Sequence, residues 1–247
     1  MCGFVVDDGK TISQRAAIIS PKFQGKGYLK PLNQLIIEEA RKRYNIQRMA
    51  VAVDNDHPYI QSNSFWKMYT LISTKDMFRY MVIPSQLGTC SEFPNTLPLE
   101  GVPVHRVAEY FDTDVIRKYL FPEERIIVNW VPYRLLPSNI ALLDEKNTVC
   151  FSDVKVSNRI VSGLLSIGTF YTVRQPRYAY TLDLYGTNGN SVRYHLLYHL
   201  GFIANKLKDL ACLSIVVDKQ LDEKKLFDVI AEFGLMKWIA SDDPNKT

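Results

Sequence analysis

The sequence predicts an α/β fold built from two related modules. Three observations predict it. A strand, a turn carrying glycine, a long helix, a second strand and a shorter helix follow one another twice along the chain. A proline-rich stretch, residues 84–103 (PSQLGTCSEFPNTLPLEGVP), separates the two occurrences and reads as an extended linker. The 247 residues are 47% hydrophobic and 23% charged, the proportions of a globular chain long enough to bury a core without metal or disulfide staples. The expected domains are residues 1–83 and 104–247, joined by 84–103.

The first half opens with a hairpin. Phe4, Val5 and Val6 enter the turn Asp7-Asp8-Gly9-Lys10, and Thr11 to Ile19 run out again. Asp-Gly supplies the positive φ of a tight type I′ turn. Pro21 ends the second strand, and KFQGKGYLKP leads into a helix whose Leu29, Leu32, Leu35, Ile36 and Ala40 share one face. Pro31 falls in its first turn, where a missing N–H is tolerated. A strand over Met49–Val53, a helix around Ser62–Leu71 and a strand near Met77–Ile83 complete this half. In the second half a strand spans Tyr178–Leu184. A turn, YGTNGN, then leads to a long helix with Leu196, Leu200, Ile203 and Leu207 in register. A strand follows over Cys212–Val217, then a helix over Asp222–Phe233 stopped by Gly234.

The formal charge of +4 is concentrated at one end. Residues 1–50 hold nine Lys/Arg and four acids, leaving the rest of the chain near neutral. Such a balance argues against a dedicated nucleic-acid binder. Cys2, Cys90, Cys150 and Cys212 are far apart and lack metal-ligand spacing, so no metal is expected, and a reducing, cytoplasmic setting is the simplest reading. Cys212, in an apolar run, reads as a buried free thiol. MCGFVVDDGK lacks the pattern of a signal peptide, and no apolar run is long enough to span a membrane. His195 and His199 stand four apart on a helix, but Leu196 replaces the general base of a zinc HExxH motif, so the pair reads as a partly buried face. Phe121, Trp130 and Tyr133 read as core residues that could also line a pocket.

The segment that carries chemistry is IISPKFQGKGYL, residues 18–29. A strand end and a glycine-rich turn open directly into a helix, whose first N–H groups and positive dipole end bind phosphate, with Lys22, Lys26 and Lys30 close by. This segment resembles the acetyl-CoA motif [Q/R]-x-x-G-x-[G/A] of the GCN5-related N-acetyltransferase (GNAT) superfamily. Gln24 and Gly27 fill its first two fixed positions, and Leu29 departs from the third. Residues 126–139, IIVNWVPYRLLPSN, and the run WKMYTLISTKDMFRYMV are similar to the histidine N-acetyltransferase group, whose members carry an acetyltransferase domain followed by a degenerate one. YGTNGN lacks the motif, so the second module is expected to bind no CoA.

The resemblance implies a mixed sheet with helices on both faces, and acetyl-CoA as co-substrate without a metal. It implies cofactor contacts from Ile18, Ile19, Gln24, Gly25, Lys26, Gly27, Tyr28, Leu29 and Asn55, and Tyr69 as the acid that protonates the departing thiolate. A backbone N–H at the strand end would polarise the thioester carbonyl. The acceptor it implies is a small amine, namely the α-amino group of a free amino acid such as histidine. Family members place a strand, two helices and further strands before the hairpin, so the chain is expected to be N-terminally incomplete. The alternative is a catalytically inactive relative serving as a CoA-binding or protein-interaction scaffold.

Overall fold

The computed structural model describes residues 2–15, 19–87, 99–143, 145–174 and 176–238. Along the chain come β1 (Cys2–Val6), β2 (Thr11–Arg15), α1 (Leu29–Arg43), β3 (Arg48–Val51), α2 (Asn63–Met68) and β4 (Lys75–Val82). Next are β5 (Glu100–Val102), α3 (Asp114–Leu120), β6 (Arg125–Val128), β7 (Val131–Arg134) and α4 (Pro137–Ile140). Then follow β8 (Thr148–Ser152), β9 (Lys155–Ser157), β10 (Ile160–Ser162), β11 (Leu165–Thr172) and β12 (Tyr178–Tyr185). Last are α5 (Val192–Lys206), β13 (Ala211–Asp218), α6 (Glu223–Glu232) and β14 (Met236–Lys237). The expected α/β class holds.

The chain forms two compact units, residues 1–72 with 124–142 and residues 73–123 with 143–247. These boundaries differ from the expected 1–83 and 104–247, for two physical reasons. β4 pairs along its whole length with β13, from Lys75 opposite Asp218 to Val82 opposite Ala211, and so joins the second unit. Residues 124–142 join the first unit through a buried clasp at the β1–β2 turn. There the Asp7 N–H donates to Asn139 Oδ1 at 2.8 Å, while Asp7 Oδ1 accepts from Asn139 Nδ2 at 2.8 Å and from the Arg134 N–H at 3.0 Å. Asn139 is fully buried and Asp7 nearly so, and the bonds satisfy groups that would otherwise be stranded away from water. The expected linker is structured at its described ends: Pro84–Gln86 makes one 3₁₀ turn, and β5 pairs with β8. Residues 88–98, including Cys90, lie outside the described residues.

In the first unit β1 pairs antiparallel with β2, and β2 pairs parallel with β3. The β1–β2 turn has positive φ at Asp8 and Gly9, and the Lys10 N–H donates to the Asp7 carbonyl at 3.1 Å, as a type I′ turn requires. β2 ends at Arg15, short of the expected Ile19, and residues 16–18 are not described. The hairpin of β6 and β7 packs through β7 on β2 and β3.

The second unit holds a seven-stranded sheet in the order β14-β4-β13-β12-β11-β8-β5. Its strands β12 and β13 run parallel, from Tyr178 opposite Ala211 to Asp183 opposite Val216. Leu196, Leu200, Ile203 and Leu207, the expected inner face of α5, are all buried, against Leu182, Leu184, Leu213 and Ile215 of the sheet. The expected repeat is present: β2–α1–β3–α2 and β12–α5–β13–α6 share their order, each has a parallel strand pair, and each crossover helix has 15 residues.

Candidate active site

The site is built in the first unit, at the carboxyl end of β2. The parallel ladder stops at Gln14 opposite Val51, and the end of a parallel pair is where open sheets place ligands. From Ser20 the chain makes one 3₁₀ turn, Pro21–Phe23, with the proline where its missing N–H is harmless. Gln24 then returns to the strand end, its Nε2 donating to the Ile19 carbonyl at 3.0 Å. Gly25 and Gly27 have φ of 73° and 76°, a region that penalises any side chain, and no atom lies within 4 Å of where a Cβ would stand on either.

Tyr28 precedes α1 without a side-chain cap, and the first turn of α1 contains no acid. The first-turn N–H groups of Leu29 and Lys30 are therefore available to an anion. Lys22 and Lys26 place their Nζ atoms 5.0 and 5.6 Å from the Phe23 ring centre, so positive charge is gathered beside the loop. Leu29 is half-buried as the first helical residue; Gln24 to Tyr28 are exposed.

Tyr69 is the C-cap of α2 rather than a residue inside the helix. Its ring stacks on Phe65 with centres 4.7 Å apart, and its Oη donates to Gln14 Oε1 at 3.2 Å. The N-cap Ser62, which accepts from the Phe65 N–H at 3.3 Å, fixes the helix that carries it. Thus the structure brings Tyr69 to the last ladder residue of β2, and the loop returns to Ile19 a few residues further on. Asn55 lies exposed in the turn after β3, with its backbone carbonyl taking Gln61 Nε2 at 3.3 Å. Ile18 lies outside the described residues.

Sequence reading missed the groups on the other face of β2. Thr11, Ser13 and Arg15 alternate with Ile12 and Gln14, so the two sets point to opposite faces of the sheet. Arg15 Nη2 donates to Asn129 Oδ1 at 2.8 Å. Asn129 and Trp130, the turn between β6 and β7, have φ of 48° and 67°. Left-handed backbone is unusual for tryptophan, and such strain collects at functional sites. Tyr133 is buried; burial pushes its hydroxyl pKa up, and the Arg15 charge pulls it the other way. The signal for this face was the pair Trp130 and Tyr133. Phe121 belongs instead to the core of the second unit, against Phe111 and Tyr185.

The same place in the second unit is filled by the protein itself. Asp153 Oδ2 accepts from the Ser191 hydroxyl at 2.5 Å and Oδ1 from the Leu164 N–H at 2.6 Å, setting a carboxylate at the start of α5. From Asp153 a chain of bonds runs inward. His195 Nε2 lies 3.4 Å from Asp153 Oδ1, and His195 Nδ1 lies 2.6 Å from Ser166 Oγ. His199 Nε2 lies 2.8 Å from that same Oγ, and His199 Nδ1 lies 2.6 Å from the Tyr180 hydroxyl.

A carboxylate only accepts, so His195 Nε2 donates to Asp153. With His199 neutral, Tyr180 donates to His199 and His199 to Ser166, whose hydroxyl lies within reach of both His195 Nδ1 and the Phe151 carbonyl, the latter at 3.4 Å. Burial holds the His199 pKa well below 6.5. Burial opposes ionisation of Asp153, but hydrogen bonds from His195, Ser191 and the Leu164 N–H outweigh it and lower its pKa. The histidines are thus wholly buried rather than partly so, and Ser166 has no exposed surface from which to attack a substrate. Cys212 is half-buried rather than buried, while Cys150 is buried, with its thiol pKa raised to about 12. Among the described residues no cluster of His, Cys, Asp or Glu could hold a metal, and no helix is long and apolar enough to cross a membrane.

A family model described as histidine N-acetyltransferase, C-terminal, matches residues 92–218, just over half of the chain. The chain belongs to this family. It is similar to the histidine N-acetyltransferase of Oreochromis niloticus, 23% identical over 245 residues, covering 88% of this chain and 67% of the relative. The histidine N-acetyltransferase of Scomber australasicus is 24% identical over 234 residues, with the same coverages. That of Xenopus tropicalis is 24% identical over 231 residues, covering 85% of this chain and 66% of the relative. The chain spans about two thirds of the length of these histidine N-acetyltransferases. The family model falls mainly on the second unit, whereas the glycine loop and Tyr69 lie in the first, within the first 72 residues.

Proposed function

We propose that the chain transfers the acetyl group of acetyl-CoA to the α-amine of a free amino acid, histidine or one like it, in the cytoplasm. The observation that supports this most is the convergence at the carboxyl end of β2. A glycine loop with an uncapped helix start follows the strand, and a tyrosine hydroxyl is held by Gln14 at its last ladder residue. Family membership points to the same chemistry.

Bound acetyl-CoA supplies the thioester that donates the acetyl group. The N–H groups of Gly25–Leu29, with Lys22, Lys26 and Lys30, hold its pyrophosphate, while the Gln24 N–H closes the 3₁₀ turn on the Pro21 carbonyl and the positive-φ glycines keep the backbone open to it. The backbone of Ile18 and Ile19 pairs with the pantetheine arm, and Asn55 contacts it from the turn after β3. The acceptor nitrogen bonds to the acetyl carbonyl carbon as the carbon–sulfur bond breaks. Tyr69 Oη delivers a proton to the sulfur, and the nitrogen releases one to solvent.

The test is thiol release from acetyl-CoA in the presence of histidine. Tyr69→Phe is expected to lower kcat by about 10²–10³-fold, the usual size of general acid catalysis, with the KM for acetyl-CoA little changed. An unchanged kcat overturns the role of Tyr69; no thiol release with any amino acid overturns acetyl transfer. The exposure of Leu32 and Leu35 on α1, 36% and 60%, favours a second reading, a CoA-binding or interaction scaffold without turnover. Thermal stabilisation by acetyl-CoA without thiol release identifies that case.

A further inference from the structure

Arg15 stands one residue beyond the last ladder pair of β2, so its side chain and that of Gln14 leave the strand end on opposite faces. Gln14 holds the Tyr69 hydroxyl; Arg15 is held by Asn129 from a turn with two left-handed residues. On the Arg15 face, two residues back, the Ser13 hydroxyl is fully buried and without a hydrogen-bond partner among the described residues. So is the Thr11 hydroxyl. Buried hydroxyls without partners are rare in native proteins and mark groups awaiting a ligand or water.

A planar guanidinium oriented by Asn129 is suited to take a carboxylate side-on. In an α-amino acid a single carbon separates the amine from the carboxylate. A cation on the face of β2 opposite Tyr69 therefore reads the carboxylate when the amine approaches the strand end from that face.

We propose that Arg15, oriented by Asn129, binds the carboxylate of the acceptor and so restricts the reaction to amino acids over simple amines. The proposal rests on the acetyl-transfer reading above and names the specificity residue of that same site.

The experiment compares histidine with histamine, which lacks the carboxylate, in the full chain and in Arg15→Gln, Arg15→Lys and Asn129→Ala. Thiol release and calorimetric binding of both acceptors are measured. The unsubstituted chain is expected to favour histidine over histamine by about 30-fold in kcat/KM, the scale of one charged hydrogen-bonded pair. Arg15→Gln is expected to remove that preference by raising the KM for histidine, leaving histamine and acetyl-CoA unaffected. Arg15→Lys keeps the charge and part of the preference, and Asn129→Ala weakens it about threefold.

Equal use of both acceptors by the unsubstituted chain overturns the proposal. So does equal loss of both in Arg15→Gln, or a raised KM for acetyl-CoA, which would make Arg15 a phosphate ligand. If thiol release is absent but histidine binds in an Arg15-dependent way, acetyl transfer falls and the carboxylate site stands. If neither acceptor binds, both fall.

Discussion

The two crossover helices have the same length and the same place in the repeat, yet α1 buries none of its residues and α5 buries eight of fifteen. The loop before α1 leaves open space at both glycines, gathers lysines and leaves the helix start uncapped. Before α5, a Cβ on Gly186 would meet the Gly163 carbonyl at 2.8 Å, and the Asp153 carboxylate sits at the helix start. One topology thus serves two ends. In the first unit the helix start carries no side-chain cap and no acid; in the second the protein sets its own carboxylate there and uses the helix as core.

The largest expected contrast is in the helices themselves. Leu200→Ala should cost about 3 kcal/mol, because Leu200 is fully buried, whereas Leu35→Ala should stay within about 0.5 kcal/mol. Urea denaturation measures both, and comparable losses would break the comparison. The next contrast is between glycines. Gly186→Ala combines positive φ with a backbone clash and should cost about 2–3 kcal/mol. Gly27→Ala meets no atom, should cost about 1 kcal/mol from φ alone, and should show chiefly as roughly tenfold weaker acetyl-CoA binding.

The gentlest separation comes from acid. Because burial depresses the folded pKa of His199 below its ordinary 6.5, unfolding takes up a proton. Stability is therefore full above pH 6.5 and falls below it, by up to about 1.4 kcal/mol per pH unit. Asp153, held below its ordinary 3.8, adds a further loss only near and below that pH. Denaturation midpoints between pH 5 and 8 check this, and a His199→Asn chain should show the flatter profile.

Features set by near neighbours were legible in the sequence: the Asp8-Gly9 turn, the glycine loop, the inner face of α5 and the repeated order of elements. What stayed hidden depends on residues brought together from afar. Asp7 and Asn139, which decide the unit boundary, are 132 residues apart. Arg15 meets Asn129 across 114 residues and Tyr69 meets Gln14 across 55. Helical spacing put His195 and His199 on one face, but their full burial follows from Ser166 and Tyr180 on strands that pair only in the folded sheet. The apolar spacing of α1 predicted one buried face, of which Leu29, Ile36 and Ala40 are half-buried while Leu32 and Leu35 are exposed, because nothing in that spacing says how much lies against it.

The clasp between Asp7 and Asn139 also sets a timetable for synthesis. The first unit cannot close until residues 124–142 have been made, after β4 and α3 of the other unit have already emerged. At 5–20 residues per second, the 132 residues between the two partners take roughly 7–26 s to translate. For that interval the Asp7 carboxylate lacks its bonds to Asn139 and the Arg134 N–H. The ribosome thus finishes the loop and Tyr69 well before it delivers the hairpin that holds Arg15.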